Sequence, residues 1–139
     1  MPNSGPPVGL RHSQTITVTP ELTVPEVSTA FAQFRDMPPV FATALMVGFV
    51  EDTCVAALRP FLRDGQRTVG TGVNLTHTAA TPIGMKVTAE IELIEVEGRR
   101  LKFRVVCRDD AEAIGEGWHE RAIIDHERFL TRVAAKRPR

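Results

Sequence analysis

The sequence predicts an α+β domain in which one antiparallel sheet wraps a single long helix. Three observations carry that expectation. Residues 40–62 (VFATALMVGFVEDTCVAALRPFL) form one long apolar run with helical spacing, residues 68–124 read as four successive strands joined by tight connections, and no helical pattern separates those strands. A parallel doubly wound sheet would require helical crossovers between strands, so the pairing is expected to be antiparallel.

The elements follow in order. Residues 1–14 (MPNSGPPVGLRHSQ) lack a basic segment followed by an apolar one, so they are expected to be a flexible end and not a secretory signal. Residues 15–24 (TITVTPELTV) are rich in Thr and Val and suit a strand, which Pro20 interrupts. Residues 25–39 carry Pro25, Pro38 and Pro39 around STAFAQF and read as a short helix or ordered loop. The long helix begins after the proline pair, and RDGQ at 63–66 supplies its stop signal. Positions 40, 43, 44, 47, 51, 54, 55, 58 and 62 recur with a period near 3.6 and are expected to form the buried face, which would turn Thr43 and Glu51 toward the sheet.

Downstream the period becomes two. In residues 68–79 (TVGTGVNLTHTA) Val69, Val73, Leu75, His77 and Ala79 share one face, so His77 lies on the apolar side. TPIG at 81–84 is a turn, and residues 85–96 (MKVTAEIELIEV) alternate as far as Leu93 before slipping at Leu93 and Ile94, as a bulge would cause. EGRR at 97–100 makes a hairpin turn, residues 101–107 put Leu101, Phe103, Val105 and Cys107 on one face, and residues 115–124 supply another strand. A C-terminal amphipathic helix and tail is expected over 126–139. A chain of 139 residues with this series of elements is read as one domain, 1–139.

Composition narrows the function. Seventeen basic residues balance seventeen acidic ones, which argues against a nucleic-acid partner, and the locally basic tail at 128–139 reads as a solvated helix end. No segment approaches the roughly 20 uncharged apolar residues of a bilayer span, so no membrane partner is expected and the cytoplasm is the expected location. Cys54 and Cys107 are isolated within apolar patterns, as reduced core residues would be, and no cysteine or histidine spacing suits a metal; no cofactor is expected. GTG at 70–72 lacks the third glycine and following helix of a dinucleotide site, HERAI at 119–123 is not a zinc helix, and neither a GxSxG elbow nor a P-loop is present.

Glu51 and Asp52 are the only charged side chains between Asp36 and Arg59. An unpaired carboxylate inside an apolar face costs several kcal/mol, so Glu51 is either a carboxylate satisfied at a partly wet dimer interface or a group kept for chemistry. Asp52 points about 100° away, toward solvent or a partner. His77 has the same two readings, a satisfied core histidine or a site residue. The hydroxyls of NLTHTAAT surround it, and its strand follows the helix that bears Glu51.

The segments VFATALMVGFVEDTCV, VGTGVNLTHTAATPIGMKVT, VEGRRLKFRV and IGEGWHERAII, spread over residues 40–124, resemble the hotdog-fold thioesterases of the fluoroacetyl-CoA thioesterase-like family. The family's threonine, glutamate and histidine fall on Thr43, Glu51 and His77, its strand glycine on Gly70, and Arg121 also matches. The resemblance implies a hotdog fold and a homodimer, or a higher oligomer built from it, whose sheets join. Acyl-CoA would then bind at the subunit boundary. It implies hydrolysis of a short acyl-CoA thioester in which Glu51 attacks the carbonyl or activates water, His77 handles the proton and Thr43 orients the carboxylate or the carbonyl oxygen. A backbone N–H near Gly70 would help stabilise the oxyanion. The family's fluoroacetyl-specific member closes its acyl pocket with two aromatic side chains ahead of the long helix. Phe34 stands at one of these positions and Met37 at the other, so the expectation is a short acyl group, with fluoroacetyl as one case. A non-catalytic acyl-CoA-binding dimer, acting as sensor or carrier, and a hotdog hydratase or dehydratase using His77 with Glu51 or Asp52 are the alternatives.

Overall fold

Five strands, β1 (Arg11–Thr17), β2 (Gln66–Leu75), β3 (Lys86–Glu97), β4 (Arg100–Asp109) and β5 (Ala113–Asp125), form one antiparallel sheet in the spatial order β1-β3-β4-β5-β2. Helix α1 (Thr43–Leu58) packs on the sheet, and α2 (His126–Ala134) follows β5. This is a computed structural model, and it describes residues 5–138.

The alternation of β3 and β4 builds the core. Val87, Ala89, Ile91 and Leu93 from β3 and Leu101, Phe103, Val105 and Cys107 from β4 are buried on the face that meets α1. Burying each of the larger of these side chains is worth about 1.5–3 kcal/mol. The bulge expected at Leu93 and Ile94 is present, since pairing with β4 shifts between Leu93 and Glu95. The hairpin that follows closes through Gly98 and Arg99, with Gly98 at φ +62°.

Five expectations need correction. Residues 1–14 were expected to be flexible, yet Arg11 to Gln14 pair with β3, and Gly9 and Leu10 exchange backbone hydrogen bonds with Leu93 at 2.8 Å. The long β3 offers an open ladder on that side, and Arg11 lies 3.6 Å from Glu92 across it. Residues 1–4 lie outside the described residues. The first strand also stops at Thr17, short of residue 24, because Pro20 opens a 3-10 turn over Pro20–Leu22.

The helix is shorter than residues 40–62. Phe41 and Ala42 are held extended by hydrogen bonds from their N–H groups to the carbonyls of Thr81 and Leu22, and Pro60 sits in a 3-10 turn at the other end. Its buried face also differs. Met46, Phe49, Val50, Thr53, Cys54, Ala57 and Leu58 are buried, whereas Thr43 and Ala44 are exposed and Val47, Glu51 and Val55 are half-buried. A helix that is apolar nearly all round leaves the choice of face to packing, and the bulky Met46 and Phe49 take the sheet side. Finally, β2 ends at Leu75, so His77 stands beyond the strand that was expected to carry it.

Candidate functional site

The flank of α1 that borders β2 carries Glu51 and Thr43, and each has a different partner. The guanidinium of Arg121 on β5 donates from Nη1 to Glu51 Oε2 at 3.0 Å. Glu51 is therefore paired, through a residue 70 positions away, and not isolated as its helical neighbours suggested. Arg121 is buried and Glu51 keeps 41% of its side chain exposed, so the carboxylate is held from inside and open to the outside.

Arg121 is itself fixed by three further bonds. Nε donates to Thr68 Oγ1 at 2.9 Å, Nη2 to the Thr68 carbonyl at 3.0 Å, and Nη1 to His119 Nε2 at 3.1 Å. A guanidinium has only donors and a fixed fork, so this set leaves it little freedom. Gly70 makes room for the pair. A Cβ there would lie 3.2 Å from Glu51 Oε2 and 3.4 Å from Arg121 Nη1. Pairing of β2 with β5 shifts between Gly70 and Gly72, which leaves Thr71 as the extra residue beside the cluster.

Thr43, the first residue of α1, is hydrogen-bonded through Oγ1 to His77 Nδ1 at 2.7 Å. The segment after β2 holds His77 there. Thr76 and Thr78 donate their N–H groups to the carbonyls of Glu116 and Ile114, and Gly115 permits the approach, since a Cβ on it would collide with the Thr76 carbonyl. Burial holds the His77 imidazole below its ordinary pKa, so the ring is neutral near pH 7. Its Nε2 is closed to solvent and has no hydrogen-bond partner among the described residues.

The expected trio thus forms two pairs. Glu51 and Thr43 are eight residues apart on α1, about 12 Å along its axis, and neither nitrogen of His77 is bonded to Glu51. Asp52 is exposed and accepts a hydrogen bond from Gln14 Nε2 at 3.0 Å. Phe34 is half-buried in a 3-10 turn at Ala32–Phe34 and Met37 is 45% exposed just after it. Phe31, which the sequence reading passed over, packs edge-to-face on Phe34 with ring centroids 5.4 Å apart.

His119 was also missed. It lies buried on the same face of β5 as Arg121, and the period of two along WHER was the signal that could have found it. Burial, with a smaller contribution from the Arg121 guanidinium, keeps its pKa below the ordinary value against the opposing bond to Gly72. A depression of about 650 Å³ on the outer face, lined by β1, β3 and β4 residues, shares no residue with either pair. Its Arg11, Arg104 and Arg108 are engaged with Glu92 and Glu90, so it adds nothing to this chemistry.

Chemically, the arrangement offers an anchored, solvent-reachable carboxylate and, separately, a neutral imidazole with one nitrogen unengaged. Such a pair can move protons to and from a substrate, or deliver a carboxylate to a carbonyl.

Comparisons with known proteins agree on one group. The family model described as Fluoroacetyl-CoA-specific thioesterase matches residues 18–127. A fluoroacetyl-CoA thioesterase from Streptantibioticus cattleyicolor is 45% identical over 131 residues, 94% of each chain. A solved structure of the fluoroacetyl-CoA thioesterase FlK superposes with a TM-score of 0.93 at 44% identity, covering 97% of this chain and 100% of that one. A Thermus thermophilus hypothetical protein of the thioesterase superfamily gives a TM-score of 0.80 at 29% identity, covering 94% of each chain. A hot-dog-like protein from Thermanaerovibrio acidaminovorans, at 23% identity and a TM-score of 0.80, covers 96% of this chain and 95% of its own and shares the fold. The α+β hotdog architecture expected from the sequence is the one observed.

Proposed function

We propose, because this chain belongs to the fluoroacetyl-CoA-specific thioesterase family, that it is a thioester hydrolase that converts a short acyl-CoA to the free acid and CoA. The observation that carries the reading is the Glu51 carboxylate, gripped by the buried Arg121 and still exposed on its outer side. A carboxylate needed only for stability would have no reason to sit half-open on the flank of a helix whose only other charged side chain is the outward-facing Asp52.

In the proposed reaction, water adds to the thioester carbonyl, the carbon–sulfur bond breaks, and the thiolate leaves with a proton. Glu51 either removes the proton of the attacking water or attacks the carbonyl itself to give an anhydride that water opens. His77 supplies the leaving-group proton. Thr43 donating to Nδ1 puts the ring proton on Nε2, the atom without a partner, and an unsatisfied buried polar atom costs about 1–3 kcal/mol, which fits a group reserved for substrate. Gly70 leaves the space in which carboxylate and guanidinium meet, and a backbone N–H near it is the proposed oxyanion donor. Phe34 and Met37 close over a short acyl group, with fluoroacetyl among the substrates to be tried.

The two pairs meet in a homodimer. Among the described residues the outer edge of β2 has no partner strand, and Ala44, Val47 and Val55 beside it are not buried, so joining β2 antiparallel to a second β2 covers this flank. The second copy then brings its own Thr43–His77 pair toward Glu51. Buried thiols at Cys54 and Cys107 fit a reducing compartment, and the cytoplasm is the proposed location; no described helix is long and apolar enough to cross a membrane.

The test is thiol release from acetyl-, fluoroacetyl-, propionyl-, longer-chain and phenylacetyl-CoA, with the free acid quantified alongside. Hydrolysis of a short ester supports the proposal. Equilibrium binding without thiol release would make the chain a sensor or carrier, and change in an enoyl or hydroxyacyl ester without thiol release would make it a hydratase or dehydratase. Mixing Glu51→Gln with His77→Ala tests the shared site. Half the dimers would be mixed and each would hold one intact site of two, so exchange of subunits should restore about a quarter of the parent rate. No restoration in demonstrably mixed dimers would put each site within one chain.

A further inference from the structure

His119 has partners that leave its proton no choice. Its Nδ1 lies 2.8 Å from the Gly72 carbonyl, which can only accept, and its Nε2 lies 3.1 Å from Arg121 Nη1, which can only donate. The imidazole is therefore neutral with its hydrogen on Nδ1, and the bonds run in one direction. Nδ1 donates to Gly72 O, Arg121 Nη1 donates to Nε2, and the same Nη1 donates its second hydrogen to Glu51 Oε2. His119 is 2% exposed, so no water competes for these contacts.

Removing the imidazole acceptor would free one of the two Nη1 hydrogens that fix the guanidinium's rotation about its long axis. Arg121 would keep its two bonds to Thr68 and lose the one that sets how Nη1 is presented to the carboxylate. From this we infer that His119 is a positioning residue for the hydrolysis: as the neutral Nδ1–H tautomer it holds Arg121 Nη1 on Glu51 Oε2 and so sets the direction in which the carboxylate faces the thioester. The inference rests on the thioesterase reading above.

Protonating His119 would reverse the contact, because Nε2–H would then face a donor of a permanent cation. The charged groups that bear on the ring are Arg121 and Glu120 on its own strand and Glu51 on α1. Its cross-strand neighbours are the uncharged Phe103 on β4 and Val73 on β2. The cluster thus loses its geometry on acidification through an internal group that never touches substrate.

The experiment compares the parent with His119→Leu and His119→Gln in thiol release across pH, with melting temperatures measured in parallel. His119→Gln retains an acceptor near the Nε2 position and should keep kcat within about threefold, whereas His119→Leu, of similar bulk, should lose about tenfold or more in kcat with KM within about twofold. The acid limb of kcat should fall more steeply in the parent than in His119→Gln, which has one titrating imidazole fewer. A folded His119→Leu with kcat within twofold of the parent, or equal losses in both variants, overturns the role and leaves the thioesterase reading standing. A parent that releases no thiol from any ester overturns that reading and the role with it, even where nitrogen-15 shifts of the imidazole show the Nδ1–H form.

Discussion

Replacing Gly70 by alanine tests whether the glycine exists to seat Glu51. Its backbone is not in the left-handed region, so alanine is conformationally acceptable there and shortens the list of unfolded conformations, worth about 0.4–1 kcal/mol in favour of the fold. Against this, the new methyl would stand 3.2 Å from Glu51 Oε2 and 3.4 Å from Arg121 Nη1, so one of them must give by a few tenths of an ångström. Arg121 cannot, being held at Thr68 and His119. The carboxylate moves instead. Overpacking of this kind costs about 1–3 kcal/mol, so the net loss of stability should be about 0–2.6 kcal/mol. A misplacement of about 1 Å can cost a hundredfold in rate, and a shift of a few tenths should cost about tenfold in kcat, or about 1.4 kcal/mol of barrier. Thiol release and thermal melting of the same preparation separate the two effects. Full kcat in a folded Gly70→Ala would refute the steric account of this glycine.

Three further outcomes follow from the same geometry. Arg121→Met should destabilise by about 2–3 kcal/mol, below the 3–5 kcal/mol of a fully buried pair because Glu51 can regain water, and urea denaturation would detect it; a change under 0.5 kcal/mol would mean the bonds to Thr68 and His119 count for little. Burial lowers both His77 and His119 below the ordinary 6.5, so the unfolded chain binds more protons in that window; stability is complete above about pH 6.5 and declines as pH falls through the lowered values, which a pH series of melting temperatures would reveal as a positive slope. Burial pushes the Cys54 thiol up to about 12 and the Cys107 thiol up to about 11, so neither should react with an aromatic disulfide reagent at pH 8 until the chain is unfolded, and rapid native labelling would contradict the packing.

Much of the sheet was legible because alternation leaves a strand little choice. In β3 and β4 each inward residue is apolar and each outward one mostly polar, and the break at Ile94 was visible as a break in that rhythm. Strand β1 was hidden in part by Arg11 and His12, which read as a polar end until Glu92 and the open ladder of β3 are there to meet them. For α1 the composition itself erased the signal: with apolar residues on nearly every side, period alone selected a face adjoining the one that packing buries.

The site shows the same division. Glu51, Thr43 and His77 stood out from the apolar patterns around them, Gly70 and Arg121 were added by the family resemblance, and the fold brings the five into two groups, Thr43 with His77 and Glu51 with Arg121 beside Gly70. Glu51 looked unpaired because its partner lies on a strand that is remote in sequence, and periodicity within α1 carries no trace of such a contact. His119 shared an inward strand face with Arg121 and could have been paired with it by parity, but one histidine among four gives no reason to prefer it until Gly72 O and Nη1 are seen on either side of the ring.

Glu51→Gln keeps the size of the side chain and one acceptor for Arg121 while removing the charge. The account predicts that this variant, folded and able to bind the ester, releases thiol at least about a hundredfold more slowly than the parent, in line with loss of an essential base or nucleophile. A parent-like rate from the same folded variant would contradict it.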